Sequence, residues 1–478
     1  MIELLPHPTR LAVLVLALTA AGMALFDEAG IGINAALFLA LVFTFAHVLR
    51  SNLSPTYLVH AALALWFALG FAWRDAPCLG LASVTGLFLV GSLGLADRDR
   101  LFAADILKLP FRLVAAPFKA FAPLREILFH AATGLRVGQT GSVVLGIVWS
   151  LPLLIVFGAL LVTADLRFAE LLSGIIDLDL DSSLTTMFRF TFWLIVSGAL
   201  LFSLLHLVPT AQLDVPQSGA ALPGAQVVSC IVSLNVLFLS FLGVQASYFF
   251  GGDALVTGTP GETYSGYARR GFWELVYIAM LIVPVLYLGD WLLRGEEEKW
   301  RDRFRLVALA TISLTVLIEA SAAHRMVLLI DAYNLTTTRF YATWFMCLIL
   351  GVLATFTAAI LRSKRSHFIR HATYVVLFFL ALLPVINPDA TVARWNLGGE
   401  TSLVNVDENY LGTLSLDAYP VMTTFLDEHP DVPSCGLVSR METRLYMASA
   451  EDWRERSYAT WRAGSIMAER GRSQCEIR

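Results

Sequence analysis

Long apolar runs recur along most of this 478-residue chain, and they restrict its fold more than any other feature. A helix needs roughly 20 mostly apolar residues to cross about 30 Å of hydrocarbon, and a backbone in lipid must satisfy its own hydrogen bonds. About eleven stretches meet this length requirement, and they lie near residues 11–26, 31–49, 57–73, 78–95, 141–164, 188–208, 226–250, 271–293, 305–330, 340–361 and 372–388. The sequence therefore predicts an all-α, polytopic membrane protein with about 11 transmembrane helices.

The overall composition agrees with this fold class. The chain is 57% hydrophobic and 15% charged, whereas soluble domains are about 45–50% apolar and about 25% charged. A soluble enzyme, a fibrous protein and a disordered chain are excluded. The net charge of −4 is spread thinly, so nothing favours a nucleic-acid partner. The predicted partner is the lipid bilayer, and no cofactor is expected.

The first apolar run has two interpretations. Residues 11–26 follow Arg10 and contain the small residues Ala20, Ala21 and Gly22, as a cleavable signal peptide would. An unbroken series of further apolar runs follows directly, which favours a retained membrane helix.

The distribution of lysine and arginine predicts the orientation. Residues 97–140, 294–305 and 362–370 are the clearly basic segments. Eleven spans place all three on one side, which the positive-inside rule makes cytoplasmic. The prediction is a bacterial inner-membrane protein with a cytoplasmic N-terminus and a periplasmic or extracellular C-terminus.

Four segments follow from this pattern. Residues 1–96 form a block of four transmembrane helices, and residues 97–140 form a basic cytoplasmic segment that lies in the membrane interface or packs beneath the bundle. Residues 141–388 form a seven-helix core. Residues 389–478 form a small extracytoplasmic domain with helical patterns near 405–428, 437–448 and 451–470. In an oxidising compartment its Cys435 and Cys475 could form a disulfide.

Ionisable residues within apolar runs are candidates for function. Glu319 lies about 21 Å along a helix from Arg305, well inside the hydrocarbon, and it has either a structural or a proton-carrying role. His324 and Arg325 are expected near the outer headgroups, where a long side chain can snorkel. No metal-binding or soluble-enzyme motif occurs in the sequence, so enzymatic activity stays undecided and a membrane transferase is compatible with it.

Four stretches carry a family resemblance: Tyr267–Leu275, His324–Arg339, Asn387–Asn396 and Asp407–Pro420. Together they resemble the bacterial membrane family named domain of unknown function 4173, with its close sister family 4153, over roughly residues 140–430. The resemblance implies an uncharacterised multi-pass inner-membrane protein without an established activity. The family pattern has glycine where this chain has Asn334. Asparagine is the best substitute in the left-handed conformation after a helix, so we predict that a long helix ends near Tyr333.

All these stretches are predicted at the outer face, where they would form one polar site. Its candidate residues are Tyr267, Arg269, Arg270, Glu274, Glu319, His324, Arg325, Arg339, Asn387, Asp389 and Arg394. The same residues would equally serve to dock the C-terminal domain.

Three functions are compatible with the sequence. In the first, the arginines bind an anionic or lipid-linked envelope component at the outer face, since guanidinium groups suit phosphate and carboxylate. In the second, the protein is a secondary permease with Glu319 and His206 on an internal polar path. In the third, it is a membrane sensor or scaffold whose periplasmic tail binds a partner.

Overall fold

The structure is a computed structural model, and it describes residues 7–26, 32–48, 55–96, 138–173, 222–251, 272–293, 296–361, 368–398, 407–430, 435–450 and 452–470. Within these ranges the chain forms helices and turns and no β-strand. The helices are α1 (His7–Phe26), α2 (Ile33–Val48), α3 (Pro55–Trp73), α4 (Pro77–Ala96), α5 (Gln139–Ala164), α6 (Leu166–Ser173), α7 (Gly224–Gly251), α8 (Phe272–Leu292), α9 (Glu298–Tyr333), α10 (Thr337–Leu361), α11 (Phe368–Ile386), α12 (Pro388–Leu397), α13 (Glu408–Leu411), α14 (Tyr419–Glu428), α15 (Cys435–Ala450) and α16 (Tyr458–Arg470). A 3-10 turn spans Leu416–Ala418.

The prediction of an all-α membrane protein is confirmed, but the predicted number of spans is not. Among the described residues, 6 helices are long and apolar enough to cross a membrane: α5, α8, α9, α10, α11 and Gly224–Gln245 of α7. Helices α1, α3 and α4 have 20, 19 and 20 residues, and the described apolar stretches within α1 to α4 cover 10–17 residues each. The predicted span at 188–208 lies outside the described residues. The described residues therefore contain six candidate spans, and the predicted count of about eleven is not shown.

By its internal contacts the chain forms two compact units. Unit 1 comprises Met1–Leu101, Asn334–Tyr341 and Thr373–Arg478, and unit 2 comprises Phe102–Tyr333 and Ala342–Ala372. The four consecutive segments inferred from the sequence stay a prediction. Residues 97–137 of the basic segment lie outside the described residues.

Unit 2 is built around α5, α7, α8 and α9. Its core is formed by aromatic and aliphatic side chains that are almost completely buried, including Phe157, Phe238 and Ile278. Helices α5 and α7 approach closely at Gly146, where a Cβ would collide with Gln226 and Ser229. Small residues at such contacts are typical of helices that pack inside a bilayer.

Helix α9 is the longest helix among the described residues, with 36 residues and a length of about 54 Å. It ends at Tyr333, and Asn334 follows with φ 61. The carbonyl of Asn334 accepts a hydrogen bond from the Arg339 guanidinium. The predicted helix end with a left-handed asparagine is confirmed.

We expect Asn334→Ala to lower the free energy of unfolding by about 1–2 kcal/mol, because an L-residue with a Cβ is strained in the left-handed region. Asn334→Gly should be equal to the wild type or more stable, since glycine adopts this conformation freely. Unfolding of the purified protein in mixed detergent micelles, followed by circular dichroism, measures both variants. Equal stability of the alanine and glycine variants would contradict the role given to this residue.

Unit 1 contains α1 to α4, most of α11 and the C-terminal helices. Along α3, the ring of His60 hydrogen-bonds the Tyr374 hydroxyl at 3.0 Å, and Trp66 donates to the Ala381 carbonyl at 3.0 Å. Because the sequence numbers rise together on both helices, α3 and α11 run in the same direction. Their parallel packing brings the end of α3 to the end of α11.

The C-terminal residues are helical, as predicted, with one difference. The last helix begins at Tyr458 and not near Glu451. Before it, Asp452 accepts hydrogen bonds from the Arg454 backbone N–H and guanidinium, and Ser457 accepts the Thr460 N–H. An acidic side chain that binds a neighbouring N–H in this way favours a turn over a helix.

Candidate functional site

Asp417 lies at the centre of a polar cluster in unit 1. Its side chain is fully buried and faces Arg74, whose Nη1 lies 3.2 Å from Asp417 Oδ1. Its other oxygen accepts the backbone N–H groups of Asp75 at 2.7 Å and Ala76 at 3.0 Å, and the hydroxyl of Ser415 lies 3.4 Å away. Both carboxylate oxygens are therefore occupied by donors.

The loop between α3 and α4 supplies the other half of the cluster. Arg74 also donates through Nε to the Pro384 carbonyl at 2.8 Å, and its guanidinium lies 4.4 Å from the centre of the Trp73 ring. Asp75 returns a contact, since its carboxylate accepts the Leu416 N–H at 3.2 Å. This reciprocal pairing joins the 3-10 turn at Leu416–Ala418 to the α3–α4 loop.

Asn387 and Asp389 join the cluster from the junction of α11 and α12. Asn387 has φ 55 and caps α12 by accepting the Ala390 N–H, while its amide donates to the Asp417 carbonyl at 3.3 Å. Asp389 accepts the Ser415 N–H at 2.9 Å. Two of the predicted site residues thus meet at one cluster.

Burial sets the electrostatics of Asp417. Loss of hydration raises the pKa of its carboxyl above the ordinary value, while the N–H groups of Asp75 and Ala76 and the Arg74 guanidinium lower it. The Arg74 guanidinium and the two N–H groups therefore offset part of the cost of burying this carboxyl.

A small pocket of about 140 Å³ opens beside this cluster. Its walls are Trp73, Arg74, Asn387, Leu416, Asp417, Pro420, Tyr458, Ala459 and Arg462. The side chain of Arg462 is exposed and donates no hydrogen bond within the part of the chain that the structure describes. We call this cavity the arginine pocket.

Arg339 and Arg394 lie elsewhere in unit 1. Arg339 contacts the Asn334 carbonyl. Arg394 is exposed and lines a larger depression of about 410 Å³ together with Glu428. The opposite charge of Glu428 makes this depression a weaker site for an anion than the arginine pocket.

Arg325 lies in unit 2 and does not reach solvent as the sequence suggested. Its side chain is 1% exposed, and Nη2 lies 3.3 Å from Asp165 Oδ2. Nη1 donates to the Ala164 carbonyl at 2.9 Å. The expectation of a snorkelling arginine is wrong because an acidic partner is available inside the bundle.

Two polar side chains extend this buried ion pair. Gln245 on α7 donates to Asp165 at 2.7 Å and accepts from the Ser321 hydroxyl at 3.1 Å. Asp165 also accepts the N–H groups of Arg167 and Phe168, which begin α6. The network therefore joins three of the core helices of unit 2.

Three other predicted residues of unit 2 lie in the described part of the chain. Glu319 is buried on α9, His324 is exposed, and Glu274 is half-buried in the first turn of α8. Tyr267, Arg269 and Arg270 lie outside the described residues. So does the predicted Cys435–Cys475 disulfide, since Cys475 and the Cys435 side chain are not described.

Sequence reasoning missed several residues of both clusters. Arg74 and Asp75 directly follow the apolar helix α3, a position where an arginine without a special role is also common. Asp165 directly follows α5. One signal was present: Asp417 belongs to the motif that carries the family resemblance. Arg462 gave no signal of its own.

A family model described as "Domain of unknown function (DUF4153)" matches residues 61–425. The match includes the α3–α4 loop and Asp417, and it ends before α15 and α16. The sequence motifs resemble family 4173 first and its sister 4153 second, and the match supports only the sister family. No curated protein and no solved structure is significantly similar to this chain.

Proposed function

The chain belongs to the DUF4153 family, whose description assigns no activity, and we propose that it binds an anionic, lipid-linked envelope component in the arginine pocket. The observation that carries this proposal is that two arginines, Arg74 and Arg462, lie in the wall of one small cavity. In this proposal the pocket faces the periplasm of a bacterial inner membrane, the N-terminus is cytoplasmic, and the helices make several crossings.

The charge balance of the pocket supports an anionic ligand. The negative charge of Asp417 is already matched by Arg74 and by the N–H groups of Asp75 and Ala76. Arg462 contributes a second guanidinium to the pocket wall. Arginine presents a planar fork of donors that suits phosphate oxygens, and the Asn387 amide adds a neutral polar group to the wall.

The position of the pocket supports a ligand with a lipid tail. Trp73 ends the apolar helix α3, and Asn387 follows the membrane-length helix α11. Trp461 is exposed next to the pocket residue Tyr458, and the two tilted rings lie 5.6 Å apart between their centres. Tryptophan and tyrosine concentrate at the headgroup level of a bilayer, so the pocket would meet a headgroup while its acyl chains stay in the membrane.

We expect the purified full-length protein to retain phosphatidylglycerol in preference to phosphatidylcholine when both are supplied equally in micelles. Native mass spectrometry counts the bound lipids. Arg462→Gln should lower the phosphatidylglycerol occupancy about tenfold, which corresponds to about 1.4 kcal/mol. The phosphatidylglycerol occupancy of Arg462→Lys should lie between those of the wild type and Arg462→Gln, because an ammonium group does not reproduce the guanidinium fork.

Arg440→Gln provides the matched control. Arg440 is an exposed arginine on α15 that contacts Asn409 and lies outside the pocket wall. Arg440→Gln changes the net charge of the protein by the same amount as Arg462→Gln. A similar loss of lipid in both variants would mean that general surface charge holds the lipid, and the proposed site would be rejected.

A second candidate function is a secondary permease. Glu319 supports it, because a buried acid on the membrane-length helix α9 is the kind of residue that proton-coupled transporters use. His206, the other residue of the predicted polar path, lies outside the described residues. The third candidate, a sensor or scaffold, would use the exposed aromatic residues of α15 and α16 to contact its partner.

A further inference from the structure

Glu319 is a buried acid on α9. The residue is 1% exposed, and neither oxygen of its carboxyl has a hydrogen-bond partner among the residues that the structure describes. It lies on α9, which packs against α7 and α8, and its neighbours Ile318 and Ala322 belong to the apolar core of unit 2. The carboxyl is thus surrounded by a region that solvates a charge poorly.

The ionisable groups on the surrounding helices do not compensate a negative charge there. Among the described side chains of these helices within unit 2, they are Cys230 on α7, Glu274, Tyr277, Tyr287 and Asp290 on α8, and Cys347 on α10. Each of these groups is either neutral or negatively charged, so none of them supplies a positive charge. Among the described residues of unit 2, Arg325 is the one buried cation, and Asp165 already neutralises it.

An unpaired carboxylate in such a place is unfavourable. Burial costs an ion several kcal/mol even after the protein relaxes, and a buried carboxyl avoids this cost by taking up a proton. Asp165 shows the contrast, since it is buried to the same extent but has the Arg325 guanidinium and the Gln245 amide as partners.

We propose that Glu319 is an intramembrane proton-binding site, which holds its proton at neutral pH and releases it when a cationic or strongly hydrogen-bonding group comes within reach. The site is independent of the arginine pocket. It deepens the permease function in one respect, because it names a proton as the ion that such a permease would carry.

Dicyclohexylcarbodiimide tests this proposal, because this lipid-soluble reagent reacts with protonated carboxyl groups in apolar surroundings. The full-length protein in liposomes is treated at pH 7, and modified peptides are identified by mass spectrometry. We expect a modified peptide that contains Glu319 and none that contains Asp165. Modification at Glu319 should decrease as the pH is raised. Absence of the Glu319 adduct, or equal modification of Asp165, would overturn the proposal.

Infrared spectroscopy gives a second measurement that needs no reagent. A protonated carboxyl has a carbonyl stretch above the amide I band, and a carboxylate does not. The spectrum of wild-type protein at pH 7 should contain this band, Glu319→Gln should lose it, and Asp165→Asn should keep it. A spectrum of Glu319→Gln identical to that of the wild type in this region would show that Glu319 is ionised, contrary to the proposal. Lipid retention should be unchanged in Glu319→Gln, because the arginine pocket does not contain Glu319. The carboxyl band therefore tests the proton site, and the lipid measurement tests the arginine pocket.

Discussion

Substitution of Arg325 by methionine is expected to lower the free energy of unfolding by about 3–5 kcal/mol, since it leaves the buried Asp165 carboxylate without its cation. Asp165 would keep the Gln245 amide and the N–H groups that begin α6, which are weaker compensation than a guanidinium. Unfolding in mixed micelles of dodecyl maltoside and dodecyl sulfate, followed by circular dichroism, measures the change.

A double variant serves as the control for this prediction. Asp165→Asn combined with Arg325→Met removes both charges while the asparagine oxygen still caps α6. Replacing both members of a buried ion pair is often neutral, so the double variant should recover most of the lost stability. If Arg325→Met alone unfolds like the wild type, the ion pair does not stabilise unit 2.

Asp417→Ala is expected to have a similarly large effect of about 3–5 kcal/mol on unit 1. The variant leaves the Arg74 guanidinium, whose side chain is 13% exposed, without its carboxylate, and the N–H groups of Asp75 and Ala76 without their acceptor. The contact between the α3–α4 loop and the 3-10 turn should weaken. Limited trypsin digestion of the membrane-embedded protein should then cleave α15 and α16 much faster than in the wild type.

Asp452→Ala is the matched comparison within unit 1. Asp452 also pairs with an arginine, Arg454, but its side chain is 33% exposed, and exposed ion pairs contribute little to stability. The digestion rate of this variant should equal that of the wild type. Protection of α15 and α16 in Asp417→Ala would show that other contacts, and not this ion pair, fix the domain.

The sequence predicted local features and missed distant pairings. The left-handed residue Asn334 after a long helix and the burial of Glu319 follow from short-range patterns, and both agree with the structure. The partner of Arg325 is 160 residues away, and no periodicity of either helix indicates such a pairing. An arginine at the predicted end of a span was therefore assigned to the lipid headgroups.

The described residues contain six candidate spans, where the apolar runs of the sequence predicted about eleven. Apolar composition measures how much of a chain avoids water, but it does not by itself distinguish a helix that crosses the bilayer from one that packs against other helices. The arginine pocket was missed because its wall combines the end of α3, the start of α12 and the helix α16, which only the folded chain brings together.

The separation of Arg74 from Asp417 has a consequence for biosynthesis. The two residues are 343 positions apart, and a ribosome that adds about 5–20 residues per second needs about 17–70 s to cover that distance. Throughout this interval the Asp75 and Ala76 N–H groups lack their acceptor, while the continuous segment Phe102–Tyr333 of unit 2 emerges whole. Unit 2 therefore has the opportunity to assemble during translation, whereas unit 1 completes its structure only after the 3-10 turn at Asp417 has emerged. A chain whose synthesis stops before this turn would expose an unfinished unit 1 to membrane quality control.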